Sequence, residues 1–297
     1  GTSTLEGVIS ISIAPVNDLP VIGDIASVSM DEEAIYIDVS GYSDSVNDLL
    51  NTILENMRNI AISDEQFVDL RNKLIRDWNN ASKGNAYQIA REYMRKMVRK
   101  HYYVSDELTS TAENISLSDI RNFSDKILKK GYIQGLVYGN VTEEQARRNT
   151  DLLINKLKIK AEKWDKVTHQ GRLSFSDGED IMQVVRSEVN NSCFSRLQYF
   201  GHNSVEEDAQ ARVIGAYIES PFFLEMRTNQ QLGYIVWGGA ASSKKSSYFV
   251  FIIQSGDYTA DNLSKRADEY TITLPDSLKQ LSDEEYLVIK NAVIEKI

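Results

Sequence analysis

Apolar residues recur at helical spacing over much of the chain, and shorter alternating runs separate these segments. Ile35, Ile37 and Val39 alternate with polar residues, which predicts a strand that ends at Gly41. Downstream of it, helical periodicity predicts helices over 46–60, 63–78, 87–100, 117–127 and 142–158, with a strand over 132–138. The helix over 63–78 is expected to present one apolar face, formed by Phe67, Leu70, Leu74 and Trp78.

The second half of the chain repeats this succession of strands and helices. Strands are predicted over 181–186, 194–200, 234–237 and 248–253, and helices from Ser204, over 259–280 and from Ser282. Pro221 is expected to end the helix from Ser204 and to open a second one, because proline cannot donate a backbone hydrogen bond but suits a first helical position. Pro275 is expected to break the helix over 259–280 in the same way.

Four helix starts carry the same local signature. A Ser or Thr followed three residues later by Glu or Gln can satisfy two free backbone N–H groups reciprocally. The pairs are Ser63 with Gln66, Thr142 with Gln145, Ser204 with Glu207, and Ser282 with Glu285. Each predicts a helix that begins at the next residue.

This order of elements predicts an α+β fold with two related domains, each an antiparallel-rich sheet packed with helices. The predicted boundaries are a short β segment over 1–33, a first domain over 34–160, a linker over 161–180 and a second domain over 181–297. The linker is assigned because 160–180 has mixed charge, two glycines and no periodicity.

Residues 1–33 differ from the rest of the chain. Ile9, Ile11 and Ile13 alternate with small or polar residues, and a proline-bounded turn follows. The segment resembles the junction between cadherin-like or bacterial immunoglobulin-like repeats. Asn17, Asp18, Asp31, Glu32 and Glu33 carry oxygen donors of the kind that calcium prefers, but we expect them to be turn and surface residues.

Composition narrows the range of partners. With 42% hydrophobic and 26% charged residues, the chain is typical of a globular protein, and no apolar run approaches the roughly 20 residues of a membrane span. A net charge of −10 argues against nucleic acid, whose recognition needs clustered Lys and Arg. The single cysteine, Cys193, excludes an internal disulfide and is expected to be a buried small side chain rather than a nucleophile.

Five segments in the same order resemble one family. They are 39–44, 137–142, 190–193, 226–236 and 251–255, and the fourth contains Arg227, Leu232, Gly233 and Tyr234. Together they resemble the C-terminal half of the pitrilysin and insulin-degrading-enzyme (insulinase) zinc peptidases, over about residues 35–297. The resemblance implies a two-halved peptidase that closes around a peptide, a partner half that bears the zinc, and a peptide substrate.

The resemblance also implies roles for four residues. The counterparts of Arg227 and Tyr234 reach into the site beside the zinc, where a guanidinium and a phenol can donate to the scissile carbonyl oxygen. Gln254 and Ser255 match a strand end, where a structural role and a substrate contact are equally expected. On spacing alone, Arg227 could instead cap a helix end and Tyr234 could be a core tyrosine with a satisfied hydroxyl.

The zinc motif of the family lies in its first half and is absent here. The chain has three histidines, His101, His169 and His202, and none has a second histidine four residues away. We therefore expect a zinc cofactor only in the full-length parent, no zinc on this chain and no hydrolysis by the chain alone. The alternative is a non-catalytic peptide- or protein-binding module derived from the peptidase fold.

Two expectations concern the molecule as a whole. A periplasmic or secreted location is expected in preference to a cytoplasmic one. The last domain is expected to be truncated after Ile297, which predicts aggregation or dependence on a partner.

Overall fold

The computed structural model describes residues 7–15, 25–30, 34–41, 46–58, 61–139, 141–166, 173, 175–176, 178–202, 204–243 and 246–296. The chain forms two compact units. The first contains Gly1–Ile75 and Ser110–Gly171, and the second contains Arg76–Thr109 and Arg172–Ile297. None of the helices within the described ranges is both long and apolar enough to cross a bilayer.

The described strands and helices follow one another in this order: β1 (Gly7–Pro15), β2 (Ile25–Met30), β3 (Ala34–Gly41), α1 (Val46–Arg58), α2 (Asp64–Ala81), α3 (Ala86–Val98), α4 (Ser105–Ala112), α5 (Leu117–Ile127), β4 (Lys130–Val137), α6 (Glu143–Leu157), β5 (Lys160–Ala161), a 3₁₀ turn (Trp164–Lys166), β6 (Ser192–His202), α7 (Val205–Phe223), a π-helix (Leu224–Asn229), β7 (Ile235–Ser243), β8 (Ser246–Ser255), α8 (Ala260–Lys279) and α9 (Asp283–Glu295). The α+β class is confirmed. All four predicted capping pairs form their reciprocal hydrogen bonds. Helix α4 is an element that the sequence periodicity did not predict.

The first unit contains a five-stranded sheet of order β2-β3-β1-β4-β5. The core lies between this sheet and helices α1 and α6, and it contains Ile37, Val39, Leu50, Leu54, Leu153 and Leu157. The prediction of antiparallel-rich pairing does not hold for this sheet, because β1 runs parallel to β3 and β4, and β5 runs parallel to β4. A helical crossover joins β3 to β4, and such connections return a strand in the parallel direction.

The apolar face predicted for α2 is not buried. The helix forms as expected, but Leu70 is 53% exposed and Leu74 is 49% exposed. Helical periodicity therefore located the helix correctly without deciding what its apolar face contacts.

The second unit is an antiparallel sheet of order β6-β8-β7, as predicted, with helices on both faces. Phe249, Phe251 and Ile253 of β8 face α7 and α8, and the alternating Tyr248, Val250 and Ile252 pack with side chains of α3. Every residue of β8 is buried in consequence. Because α3 covers this sheet, residues 76–109 cluster with the second unit. The predicted domain boundaries stay a prediction.

Two helices continue through a proline at which they were expected to break. Helix α7 passes through Pro221, and α8 passes through Pro275. Pro221 lies next to Phe222, which is fully buried in the core. Packing of this kind outweighs the single backbone hydrogen bond that a proline removes.

One predicted strand assignment is wrong. Residues 181–186 are neither strand nor helix in the structure, and Met182 and Val184 are more than three-quarters exposed. An apolar run becomes a strand only where a neighbouring strand pairs with it. The strand predicted over 234–237 is confirmed as the start of β7, which begins one residue later and pairs with β8, but Tyr234 itself is 81% exposed.

The N-terminal segment contributes to the first sheet. Strand β1 lies between β3 and β4, and β2 pairs with β3. The candidate calcium ligands lie outside the described residues, and the likeness of 1–33 to adhesion-type repeats stays a prediction.

Candidate functional site

The candidate site is built on the C-terminal end of α7. This helix is N-capped by Ser204 and anchored in the core by Ala211, Ile218 and Phe222. It continues directly into the π-helix, in which Gln230 N–H donates to the Glu225 carbonyl oxygen at 3.0 Å. Short π segments are rare and are often found at functional sites.

The side chain of Glu225 fastens the π-helix from outside. Its carboxylate accepts hydrogen bonds from Asn229 Nδ2 at 2.7 Å and from Gln230 Nε2 at 2.8 Å. These two bonds stabilise the charged form and lower the pKa of Glu225 below its ordinary value. The register of the π-helix, and with it the direction of Arg227, is therefore fixed by side chains as well as by the backbone.

A tight turn leads from the π-helix to β7. Leu232 N–H donates to the Met226 carbonyl oxygen at 2.9 Å, and Gln231 has a φ of 52° in the left-handed region. Gly233 follows, and a Cβ atom at this position would lie 1.9 Å from the carbonyl oxygen of Gln254. Only glycine allows the turn to approach the end of β8 this closely.

The turn brings Arg227 and Tyr234 together. The guanidinium carbon of Arg227 lies 4.7 Å from the centroid of the Tyr234 ring and 5.5 Å from that of Phe223. Arg227 also donates a hydrogen bond to the Tyr234 carbonyl oxygen. The guanidinium is thus held between two rings by cation–π contacts, and most of the Tyr234 side chain remains exposed.

These contacts argue against a helix-capping role for Arg227 and against a core position for Tyr234. Arg227 binds the carbonyl of Tyr234, seven residues on, rather than a carbonyl of its own helical end. With 81% exposure, Tyr234 is not a core tyrosine. The pair forms a half-buried cation beside an exposed phenol.

Gln254 and Ser255 lie nearby at the end of β8, but their side chains are used inside the protein. Both are buried. The Gln254 side-chain oxygen accepts from Tyr87 N–H at 2.9 Å, which ties the start of α3 to the sheet. Ser255 Oγ accepts from the N–H groups of Asp257 and Tyr258 at 3.1 Å and closes the turn before α8. These contacts occupy the acceptor atoms that a substrate contact would use.

Three contributors to the site were missed at the level of sequence. Phe223 forms one side of the Arg227 clamp, Glu225 fastens the π-helix and Gln231 takes the left-handed turn conformation. Phe223 is 43% exposed although it is an apolar residue of α7. Gly233 is compatible with a turn in the sequence, but only the structure shows that this turn approaches Gln254.

The thiol of Cys193 has no catalytic role in this site. Burial raises the pKa of the Cys193 thiol to about 12, so the nucleophilic thiolate is disfavoured. In the part of the chain that the structure describes, no group of three or more His, Cys, Asp or Glu is arranged to hold a metal ion. The described side chains therefore do not fit a zinc ion, and no step of the chemistry is assigned to a metal on this chain.

Two family descriptions match the chain. Residues 25–111 match the middle or third domain of peptidase M16, and residues 213–297 match the PQQ synthase PqqF-like C-terminal lobe domain 4. The second match contains the whole candidate site. The chain belongs to the insulinase (M16) family of peptidases.

Relatives and solved structures agree with this family assignment. The chain is 25% identical to human insulin-degrading enzyme over 279 residues, covering 91% of the chain and 27% of the enzyme. It is 21% identical to protease 3 of Escherichia coli strain K12, covering 92% of the chain and 28% of the protease. The crystal structure of pitrilysin matches 92% of the chain with a TM-score of 0.76 at 19% identity.

A second solved structure is similar in fold. It is the peptidase M16 inactive domain from Pseudomonas fluorescens, which matches 91% of the chain with a TM-score of 0.61 at 12% identity. The chain spans about a quarter of the length of the curated relatives that it matches. It corresponds to a C-terminal part of the insulinase-family architecture.

Proposed function

We propose that this chain is the substrate-enclosing part of a zinc metalloendopeptidase that hydrolyses peptides. In this proposal the zinc is held by a separate N-terminal half of the family, and the chain is inactive alone. Arg227 and Tyr234 contribute to the active site that the two halves form together.

The observation that carries this proposal is the contact of the half-buried Arg227 guanidinium with the exposed Tyr234 ring. Peptide hydrolysis builds negative charge on the scissile carbonyl oxygen, and donors that are already oriented stabilise that charge without reorganisation. The ring of Tyr234 and the Phe223 ring restrict the guanidinium, and Gly233 fixes the turn that holds the phenol beside it. In this proposal the exposed phenol O–H donates to a substrate carbonyl, together with guanidinium N–H groups that do not bond to the Tyr234 carbonyl.

The test is a cleavage assay on a quenched, unstructured peptide. The chain is assayed alone and after mixing with the zinc-bearing N-terminal half of E. coli protease 3. We expect activity only in the mixture, and we expect chelation of zinc to abolish it. Tyr234→Phe removes one oriented donor, so we expect roughly 10²–10³-fold lower kcat with little change in KM. Arg227→Lys is expected to lower activity as well, because an ammonium cannot replace a planar guanidinium between two rings.

Matched substitutions away from the site control for general effects. Tyr103→Phe changes another tyrosine that is 60% exposed, and Arg266→Lys changes an arginine on α8. Both are expected to leave activity unchanged. Cleavage by the chain alone, or full activity of Tyr234→Phe in the mixture, contradicts the proposal.

A non-catalytic binding module is the second candidate. It is favoured by the similarity in fold to the inactive M16 domain from P. fluorescens. In that case the peptide binds to the chain but is not cleaved in the mixture. A periplasmic or secreted location remains a proposal that cell fractionation would test.

A further inference from the structure

Glu225 lies two residues before Arg227 and closes the turn that contains it. Its carboxylate accepts hydrogen bonds from Asn229 Nδ2 at 2.7 Å and from Gln230 Nε2 at 2.8 Å. Its backbone carbonyl oxygen accepts a third bond, from Gln230 N–H at 3.0 Å. Arg227 lies within the turn that these three bonds close. The position of the guanidinium therefore depends on contacts that the guanidinium itself does not make.

The register of this turn matters for the direction of Arg227. A change of register by one residue rotates the side chains that follow by about 100° around the helix axis. A rotation of that size would take the guanidinium away from the Tyr234 ring, whose centroid lies 4.7 Å from its carbon. Met226 is fully buried and holds the inner side of the turn in the core. The half-buried Glu225 secures the outer side.

The Gln230 side chain depends on Glu225 for its orientation. The Gln230 side-chain oxygen is buried and has no hydrogen-bond partner among the described residues, so the bond from Nε2 to Glu225 is what orients the amide. Side chains two residues apart do not face each other on a helix. Glu225 therefore anchors the turn through two amides rather than through an ion pair with Arg227, and it does not neutralise the charge of the guanidinium.

We propose that Glu225 is a positioning residue for peptide hydrolysis and that it acts through the orientation of Arg227. The carboxylate does not touch the substrate, and its bonds to Asn229 and Gln230 hold the register in which the guanidinium meets the Tyr234 ring. Oriented donors stabilise developing charge without reorganisation, so a loss of orientation lowers kcat rather than substrate affinity. The inference rests on the proposed function, in which Arg227 and Tyr234 contribute to the active site.

The first test is a double-mutant cycle on kcat in the mixture with the zinc-bearing half. Glu225→Ala is expected to lower kcat by about 10–100-fold and to change KM by less than about threefold, because it misplaces a group that acts in the transition state. In the Arg227→Ala background the same substitution is expected to lower kcat by less than about twofold, because the residue through which it acts is gone. An equally large effect with and without Arg227 overturns the inference.

A matched carboxylate separates positioning from general stability. Glu285 on α9 accepts hydrogen bonds from Ser282 N–H at 3.0 Å and from Ser282 Oγ at 2.7 Å. Glu285→Ala is expected to destabilise the chain without changing kcat.

A conservative variant covers the case in which Glu225→Ala does not fold. Glu225→Gln keeps the size of the side chain and one acceptor oxygen, which can still bind one of the two amides. Its kcat is expected to lie between those of the wild type and Glu225→Ala, and the same cycle with Arg227→Ala can be run on it. Wild-type kcat in both Glu225 variants overturns the inference.

The second test observes Arg227 without any reaction. In NMR spectra of the chain alone, labelled on arginine, the Arg227 side-chain protons that lie over the rings of Phe223 and Tyr234 are expected upfield because of the ring currents. The signal is assigned by its loss in Arg227→Lys. It is expected to move toward the position of free arginine in Glu225→Ala and to stay in place in Glu285→Ala. An unchanged Arg227 signal in Glu225→Ala overturns the inference.

The two proposals can fail separately. If the mixture with the wild-type chain never cleaves the peptide, the proposed function is wrong, and the NMR comparison still decides whether Glu225 orients Arg227. If Tyr234→Phe lowers kcat as expected but Glu225→Ala keeps the wild-type kcat, the inference about Glu225 alone is wrong.

Discussion

At the scale of single residues, one glycine decides where the candidate site lies. Gly233 allows the turn after the π-helix to contact the end of β8, and every larger residue would place its Cβ against the Gln254 carbonyl oxygen. The same close approach fixes the distance between Arg227 and Tyr234. The backbone contact between Gly233 and Gln254 therefore sets the positions of the Arg227 and Tyr234 side chains, which take no part in that contact.

We predict that Gly233→Ala lowers the free energy of unfolding by about 1–3 kcal/mol, because backbone atoms must move to admit the methyl group. Urea denaturation measures this. The matched control is Gly256→Ala, whose Cβ would lie 3.3 Å from the side-chain Oδ1 of Asn191, and it is expected to change stability by less than about 0.5 kcal/mol. Equal stability of the two variants would show that the turn can relax without cost.

At the scale of elements, tertiary packing overrides local signals. Helix α8 was expected to break at Pro275, yet it runs without interruption from Ala260 to Lys279. Its N-terminus is capped by Thr259, and Leu263 and Ala267 are fully buried in the core of the second unit. The helix tolerates the missing donor because these contacts hold the turns that precede it.

We predict that Pro275→Ala raises the free energy of unfolding by about 2 kcal/mol, because it supplies the missing N–H and removes the clash of the proline ring. Thermal or urea denaturation measures the change. Asp276→Ala, in the same exposed turn, is expected to have an effect within about 0.5 kcal/mol. A less stable Pro275→Ala protein would mean that the proline fits this helix through a contact of its ring.

At the scale of the whole molecule, hydrogen-bonded carboxylates link stability to pH. The pKa values of Glu55, Glu107, Asp119, Glu225 and Glu285 are all lowered by side-chain hydrogen bonds, with an additional backbone bond at three of them. A lowered pKa means that the folded state holds the charged form more tightly than the unfolded state does. Its contribution to stability is complete above the ordinary value and is lost as pH falls through the lower folded value.

We predict that the free energy of unfolding declines as pH falls below the ordinary glutamate value of 4.5. Because the net charge of −10 also changes on acidification, the decisive comparison is with Glu225→Gln. That variant is expected to be less stable at pH 7 and to approach the wild type as the pH falls below the lowered pKa of Glu225. If the free energy of unfolding of the two proteins depends on pH in the same way, the charge of Glu225 contributes nothing to stability.

The sequence by itself determined the elements and the family. Helical periodicity and four capping pairs located most helices, since these signals act over a few neighbouring residues. The ordered segments around Arg227 and Tyr234 identified the insulinase family. They also selected the two residues that the structure places in contact.

Only the tertiary structure decided which apolar helix faces are covered and which polar side chains are already hydrogen-bonded inside the protein. Helix α3 packs on β8 and engages Gln254, whereas the apolar face of α2 remains exposed, and periodicity cannot distinguish these outcomes. The first sheet pairs β1 between β3 and β4, across more than a hundred residues of chain, which no local pattern encodes. Burial and strand pairing depend on contacts between residues distant in sequence, and those contacts exist only once the chain has folded.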